Sequence, residues 1–134
     1  PATVPPTVPD AGARASPWPV IAGIDSEFAS TMMGGDAGFF LEMLGKFLHE
    51  HRDTLEQLHD QLLDGDRSGA ASLAHKLKGQ AGNLGARELQ DVAGRLERML
   101  LDGGVALAEP VRQVRQAYRT LYLAAQRVSP DLPA

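Results

Sequence analysis

The sequence contains no cysteine, which excludes a disulfide framework, a thiolate metal site and a cysteine nucleophile. Aromatic residues make up 5% of it and no run of about 18 apolar residues occurs, so the sequence predicts no membrane-spanning helix. An excess of positive charge is also lacking. The formal charge is -4 and the pI is about 5.5, whereas nucleic-acid binders usually carry a basic face that answers phosphate; nucleic acid is not an expected partner. No charged-then-apolar leader is visible, and the sequence starts on Pro1 rather than methionine, which suggests a piece of a longer protein.

What is present fits one folded domain. The 134 residues are 43% hydrophobic and 22% charged, a normal balance for a globular chain with its own core. Six of the nine prolines fall in PATVPPTVPDAGARASPWP. This stretch, 1–19, reads as a linker of partly extended polyproline II character. Its PxxP patterns lack the flanking basic residues of a Pro-rich ligand. Trp18, Val20 and Ile21 begin the packing; the domain is expected over 20–128, followed by a tail at 129–134.

Helical punctuation follows. Asp25 is placed to cap a short helix to about Met33, and GGD at 34–36 stops it and offers Asp36 as the next cap. Phe40, Leu44, Phe47, His51, Leu55, Leu58 and Leu62 then recur at spacings of three and four, the stripe of a long amphipathic helix ending at Gly65. Asp66 caps a third helix to about Leu84, and Gly85 breaks it. Leu89, Val92, Ala93, Leu96 and Leu100 mark a fourth, closed by DGG at 102–104. The last helix carries Val111, Val114, Ala117, Tyr118, Leu121 and Ala125, with Pro110 placed near its start, where proline is tolerated. The expectation is an all-α, up-and-down antiparallel four-helix bundle with a short additional N-terminal helix, its short connections forcing antiparallel neighbours.

Within the third helix, AHKLKGQAGNLGA (74–86) places three glycines around a histidine and two lysines. At about 100° per residue, Ala70, Leu73, Ala74, Leu77, Ala81 and Leu84 cluster on one face, and His75 points the other way. Its helical neighbours are Ser68, Ala71, Ser72, Lys78, Gly79 and Gly82. All but Lys78 are small, although a mid-helix glycine costs about 1 kcal/mol relative to alanine. The pattern is a lane cleared for close approach of another macromolecule.

Imidazoles titrate near neutrality, so a solvent-facing one is available as nucleophile or base. No carboxylate lies three or four residues from His75 to orient it, no Ser or Cys nucleophile accompanies it, and the outer face of a bundle offers no enclosed pocket. The partner would therefore bring the pocket. Lys78, one turn on, would neutralise an anionic group carried on the ring, a phosphoryl group being the natural candidate. His49 and His59 lie off the apolar stripe and read as solvated; His49 and His51 point in different directions and make a poor metal pair. His51, on the stripe, reads as partly buried with a local hydrogen bond.

These residues resemble the histidine phosphotransfer (HPt) domain signature, H-x-x-K-G followed by small residues, a glycine and a helix bearing L-x-x-x-A-x-x-L-E, here Leu89, Ala93, Leu96 and Glu97. The upstream GIDSEFASTMMGGDAGFFLEMLGKF is similar to the entry of that family, and the resemblance spans about 20–127. It implies a phosphorelay intermediate: His75 accepts a phosphoryl group from a receiver-domain aspartate and passes it to a response-regulator aspartate, assisted by Lys78, with Ser68, Ala71, Ser72, Gly79 and Gly82 facing the partner. It further implies no ATP-dependent kinase activity and no cofactor of its own, Mg²⁺ being supplied by the receiver. The implied setting is the C-terminal domain of a tripartite hybrid sensor kinase, cytoplasmic, monomeric in isolation and without direct membrane contact. Two other readings are a docking bundle that binds a partner without phosphotransfer and a kinase dimerisation domain. In the latter an acidic residue follows the histidine; here Lys76 does.

Overall fold

The computed structural model describes residues 18–130; the expected linker up to Pro17 and the tail from Asp131 lie outside the described residues. Five helices follow in order: α1 (Ser26–Met32), α2 (Ala37–Leu63), α3 (Arg67–Asn83), α4 (Arg87–Leu101) and α5 (Ala108–Val128). Among the described residues no strand occurs, only an isolated bridge between Ile24 and Ala86.

Three of the helices start where an aspartate satisfies the free N–H groups of a first turn. Asp25 accepts from Phe28 N at 3.1 Å, Asp36 from Phe39 N at 3.0 Å and Asp66 from Gly69 N at 2.9 Å. α4 and α5 have no side-chain cap. α5 instead carries Pro110 in its first turn, where its missing N–H costs nothing.

α2 packs on α3, α3 on α4, α4 on α5, and α5 returns to α2, closing an antiparallel bundle with α1 beside α2. One core runs through it, from Ile21, Ala29, Phe40, Leu44 and Leu48 through Leu77, Leu89 and Leu96 to Val114 and Leu121. Trp18 stacks at 4.9 Å on Phe40. Val20, expected to pack with it, is 83% exposed: of that pair only Ile21 enters the core, just ahead of the turn closed by the bond from Ile24 N to Ile21 O at 3.0 Å. α3 and α4 form the most intimate interface, since alanines and glycines let the two backbones approach.

On α3 the buried arc is Ala70, Ala71, Ala74, Leu77, Ala81 and Leu84, with Leu73 only half-buried. Periodicity alone sets the arc one residue toward Leu73, with Ala71 outside it. The close approach of α4 covers Ala71, which corrects that register.

The α3–α4 connection is fixed by its glycine. Gly85 has φ +78°, a region that side chains rarely adopt. Ala86 N donates to Ala81 O at 2.9 Å and Gly85 N to Gly82 O at 3.1 Å, closing the last turn of α3. Asp25 N then donates to Gly85 O at 2.7 Å, tying the segment before α1 to this turn.

Candidate functional site

His75 stands on the outward face of α3 with its side chain 68% exposed. Its Nδ1 lies 2.8 Å from Oε2 of Glu97, which reaches across from α4. The second oxygen of the same carboxylate, Oε1, lies 2.9 Å from Lys78 Nζ. Glu97 is only 12% exposed, so it is a fixed group at the seam of the two helices, flanked by an imidazole and an ammonium.

The electrostatics follow. The Lys78 ammonium, and after it His75, hold the Glu97 carboxyl below its ordinary range, against a burial that alone would raise it. An ionised Glu97 accepts hydrogen bonds only. The proton of a neutral His75 ring therefore belongs on Nδ1, leaving Nε2 with a free lone pair on the solvent side. This tautomer is assigned from the hydrogen-bond network.

Helical spacing along α3 does not reveal Glu97 as the orienting carboxylate, because it relates only residues three or four apart. The partner lies 22 residues away. The signal available was its place one residue after Leu96 of the α4 stripe, at the edge of the buried face.

The cleared lane is narrower than expected. A shallow groove of about 250 Å³ beside the ring is lined by Ser68, Ala71, Ser72, His75, Glu97 and Leu101. Ser68 and Ser72 are exposed, but Ala71 is buried, so it lies under this surface rather than projecting from it. At Gly79 the space is open: a side chain added there would meet nothing within 4 Å. At Gly82 it is filled, the Cβ position lying 2.8 Å from Gln90 Nε2. The space at Gly82 is occupied by a side chain of α4.

His49 and His59 are exposed. His51 is buried completely, more than expected, and its bonds are not only local. Its Nδ1 is 3.0 Å from Thr54 Oγ1 and its Nε2 is 2.5 Å from Gln80 Oε1 on α3. The amide oxygen accepts, so Nε2 carries the proton and Nδ1 accepts from the hydroxyl. Lys76 pairs with Glu50 of α2 at 2.8 Å. The residues flanking His75 are thus braced against both neighbouring helices.

The family model described as the Hpt domain matches residues 42–127, more than half of the chain. The chain belongs to the Hpt domain family. Hpt domains take part in phosphotransfer in two-component phosphorelays, where they interact with receiver domains, and that role holds here. No curated protein and no solved structure matches the chain. Among the described residues of this Hpt domain, no helix is long and apolar enough to cross a membrane.

Proposed function

We propose that His75 is the phosphoacceptor of this Hpt domain. Nε2 attacks the phosphorus of an aspartyl phosphate on a receiver domain, the N–P bond forms as the acyl P–O bond breaks, and the aspartate leaves as carboxylate. The reverse displacement, by the aspartate of a response regulator, returns His75 to its starting form. No proton need leave Nε2, because the ring holds its proton on Nδ1.

The observation that supports this most directly is the bond from His75 Nδ1 to Glu97 at 2.8 Å on a ring whose other edge faces solvent. It orients the imidazole and steadies the positive charge that develops on the ring as Nε2 attacks. Lys78 acts beside it. The transferred group brings negative charge toward a site that already contains the Glu97 carboxylate, and the Lys78 ammonium offsets both. Ser68, Ser72 and Gly79 leave the approach to the ring open, so the receiver supplies the enclosing pocket and the Mg²⁺. The domain needs no cofactor of its own and acts as a monomer, joined to a hybrid sensor kinase at the cytoplasmic side of the inner membrane.

Incubation with a phosphorylated receiver domain tests the reading. Label is expected on His75, labile in acid and stable in alkali. His75→Gln is expected to abolish it with the fold intact, since exposed substitutions usually shift stability by less than about 0.5 kcal/mol. Binding of the receiver without label would favour the docking-bundle reading. Label retained by His75→Gln would place the acceptor elsewhere.

A further inference from the structure

Gly94 is buried in the middle of α4, a place where alanine would make the better helix. What a side chain there would meet is specific. A Cβ at Gly94 would stand 3.0 Å from Cδ of Lys78 and 3.8 Å from its Cγ, with Arg98 Nη1 next at 3.7 Å. The stem of Lys78 therefore crosses α4 at Gly94, and its ammonium meets Glu97 one turn further along the same helix, at 2.9 Å. Both ends of that side chain are fixed, the Cα by α3 and the Nζ by a carboxylate that is itself largely buried. A methyl group at 94 would press the stem aside by a few tenths of an ångström and so disturb the reach of the ammonium to Glu97.

The two helices interlock in both directions, Gln90 of α4 filling the space at Gly82 and Lys78 of α3 filling the space at Gly94. Of these two inserted side chains, Lys78 is the one joined to the carboxylate that holds His75. We infer that Gly94 is a positioning residue for phosphotransfer: the space it leaves carries Lys78 to Glu97, and so fixes the carboxylate that selects the reactive tautomer of His75. The inference rests on the assignment of His75 as acceptor and extends it to a residue that touches neither the ring nor the phosphoryl group.

The test compares Gly94→Ala in two backgrounds, wild type and Lys78→Ala, using the full chain. One readout is the ¹⁵N spectrum of the His75 imidazole, which reports the tautomer without any partner. The other is the rate at which phosphoramidate labels His75, with label assigned to that residue by peptide mapping. In the wild-type background Gly94→Ala is expected to mix the tautomers and slow labelling by on the order of tenfold. In the Lys78→Ala background it is expected to change neither. Equal losses in both backgrounds would make Gly94 a structural residue only, and no change in either would also overturn the inference. Unfolding in either background would likewise make Gly94 a packing residue and overturn the inference. Wild-type chain that takes no label on His75 from either phosphoramidate or a receiver would defeat the acceptor assignment instead, while the imidazole spectrum still decides the role of Gly94.

Discussion

Glu97 decides how the two cations at the site behave. Without it, His75 would be an exposed imidazole free to exchange tautomers and Lys78 an ordinary surface ammonium. Glu97→Gln keeps an oxygen that can accept from Nδ1 but removes the charge, and Glu97→Ala removes both. Phosphoryl acceptance is therefore expected to fall in the order wild type, Gln, Ala. Lys78→Ala should slow transfer by roughly tenfold to a hundredfold, about 1.4 to 2.7 kcal/mol of barrier, since it leaves the Glu97 charge uncompensated beside the incoming phosphoryl group. Rates across a salt series check this, and wild-type rates at every ionic strength would remove Lys78 from the mechanism. His51 makes a different prediction. Burial lowers its pKa, the bond to Gln80 only partly opposing this. A folded-state pKa below the unfolded one means that the unfolded chain binds the proton first as pH falls, so this contribution is intact above about pH 6.5 and is lost below it. The unfolding free energy from denaturant titration should decline between pH 7 and 5, by no more than about 1.4 kcal/mol per pH unit from this one proton. His51→Gln should flatten that slope. His75 was legible in the sequence because its small neighbours are local; Glu97 and the Gln80 bond were not, because each joins residues far apart in the chain.

At the scale of elements, the helix starts at Asp25, Asp36 and Asp66 could be read directly, because a capping carboxylate and the amide it satisfies are three residues apart. Periodicity also located the stripes of α2, α4 and α5. It missed the rotational setting of α3, where alanines and glycines on several faces give periodicity little to distinguish. Only the packing of α4 decides between Ala71 and Leu73. The same ambiguity hid the difference between Gly79 and Gly82, two glycines three residues apart on one helix. Gly79→Leu is expected to leave the bundle as stable as before or more so, by up to about 1 kcal/mol, because nothing occupies the space and leucine is the better helix former. Transfer from a receiver should nonetheless slow severely through exclusion of the partner. Gly82→Leu should instead fall below Gly79→Leu in stability by about 1 kcal/mol, because it must displace the amide end of Gln90. Denaturant titrations of the two variants separate them, and equal stabilities would show that the α3–α4 seam yields at no cost.

Taken as a whole, the folding unit starts before the matched region does. The Hpt model begins at residue 42, yet Ile21, Ala29 and Phe40 belong to the continuous core, and the segment before α1 is bonded to the turn that ends the His75 helix. Arg87, the first residue of α4, lies 4.2 Å above the Phe28 ring and 3.6 Å from Asp25, reinforcing that tie. A chain beginning at Ala37 should therefore fold less stably, by at least the roughly 1.5 to 3 kcal/mol that burial of a side chain such as Ile21 contributes. Gly85 shows whether the lost stability lies in the tie itself. Alanine at 85 carries two penalties in the full chain: a left-handed backbone, costing about 1 to 2 kcal/mol, and a Cβ 3.0 Å from Asp25 O and 3.3 Å from the Phe28 ring. In the chain beginning at Ala37 only the first penalty remains. Gly85→Ala is thus expected to cost more in the full chain than in the shortened one, the difference in unfolding free energy measuring the clamp on the α3–α4 turn. Equal costs in the two chains would mean that residues 21–28 lie against this turn without holding it.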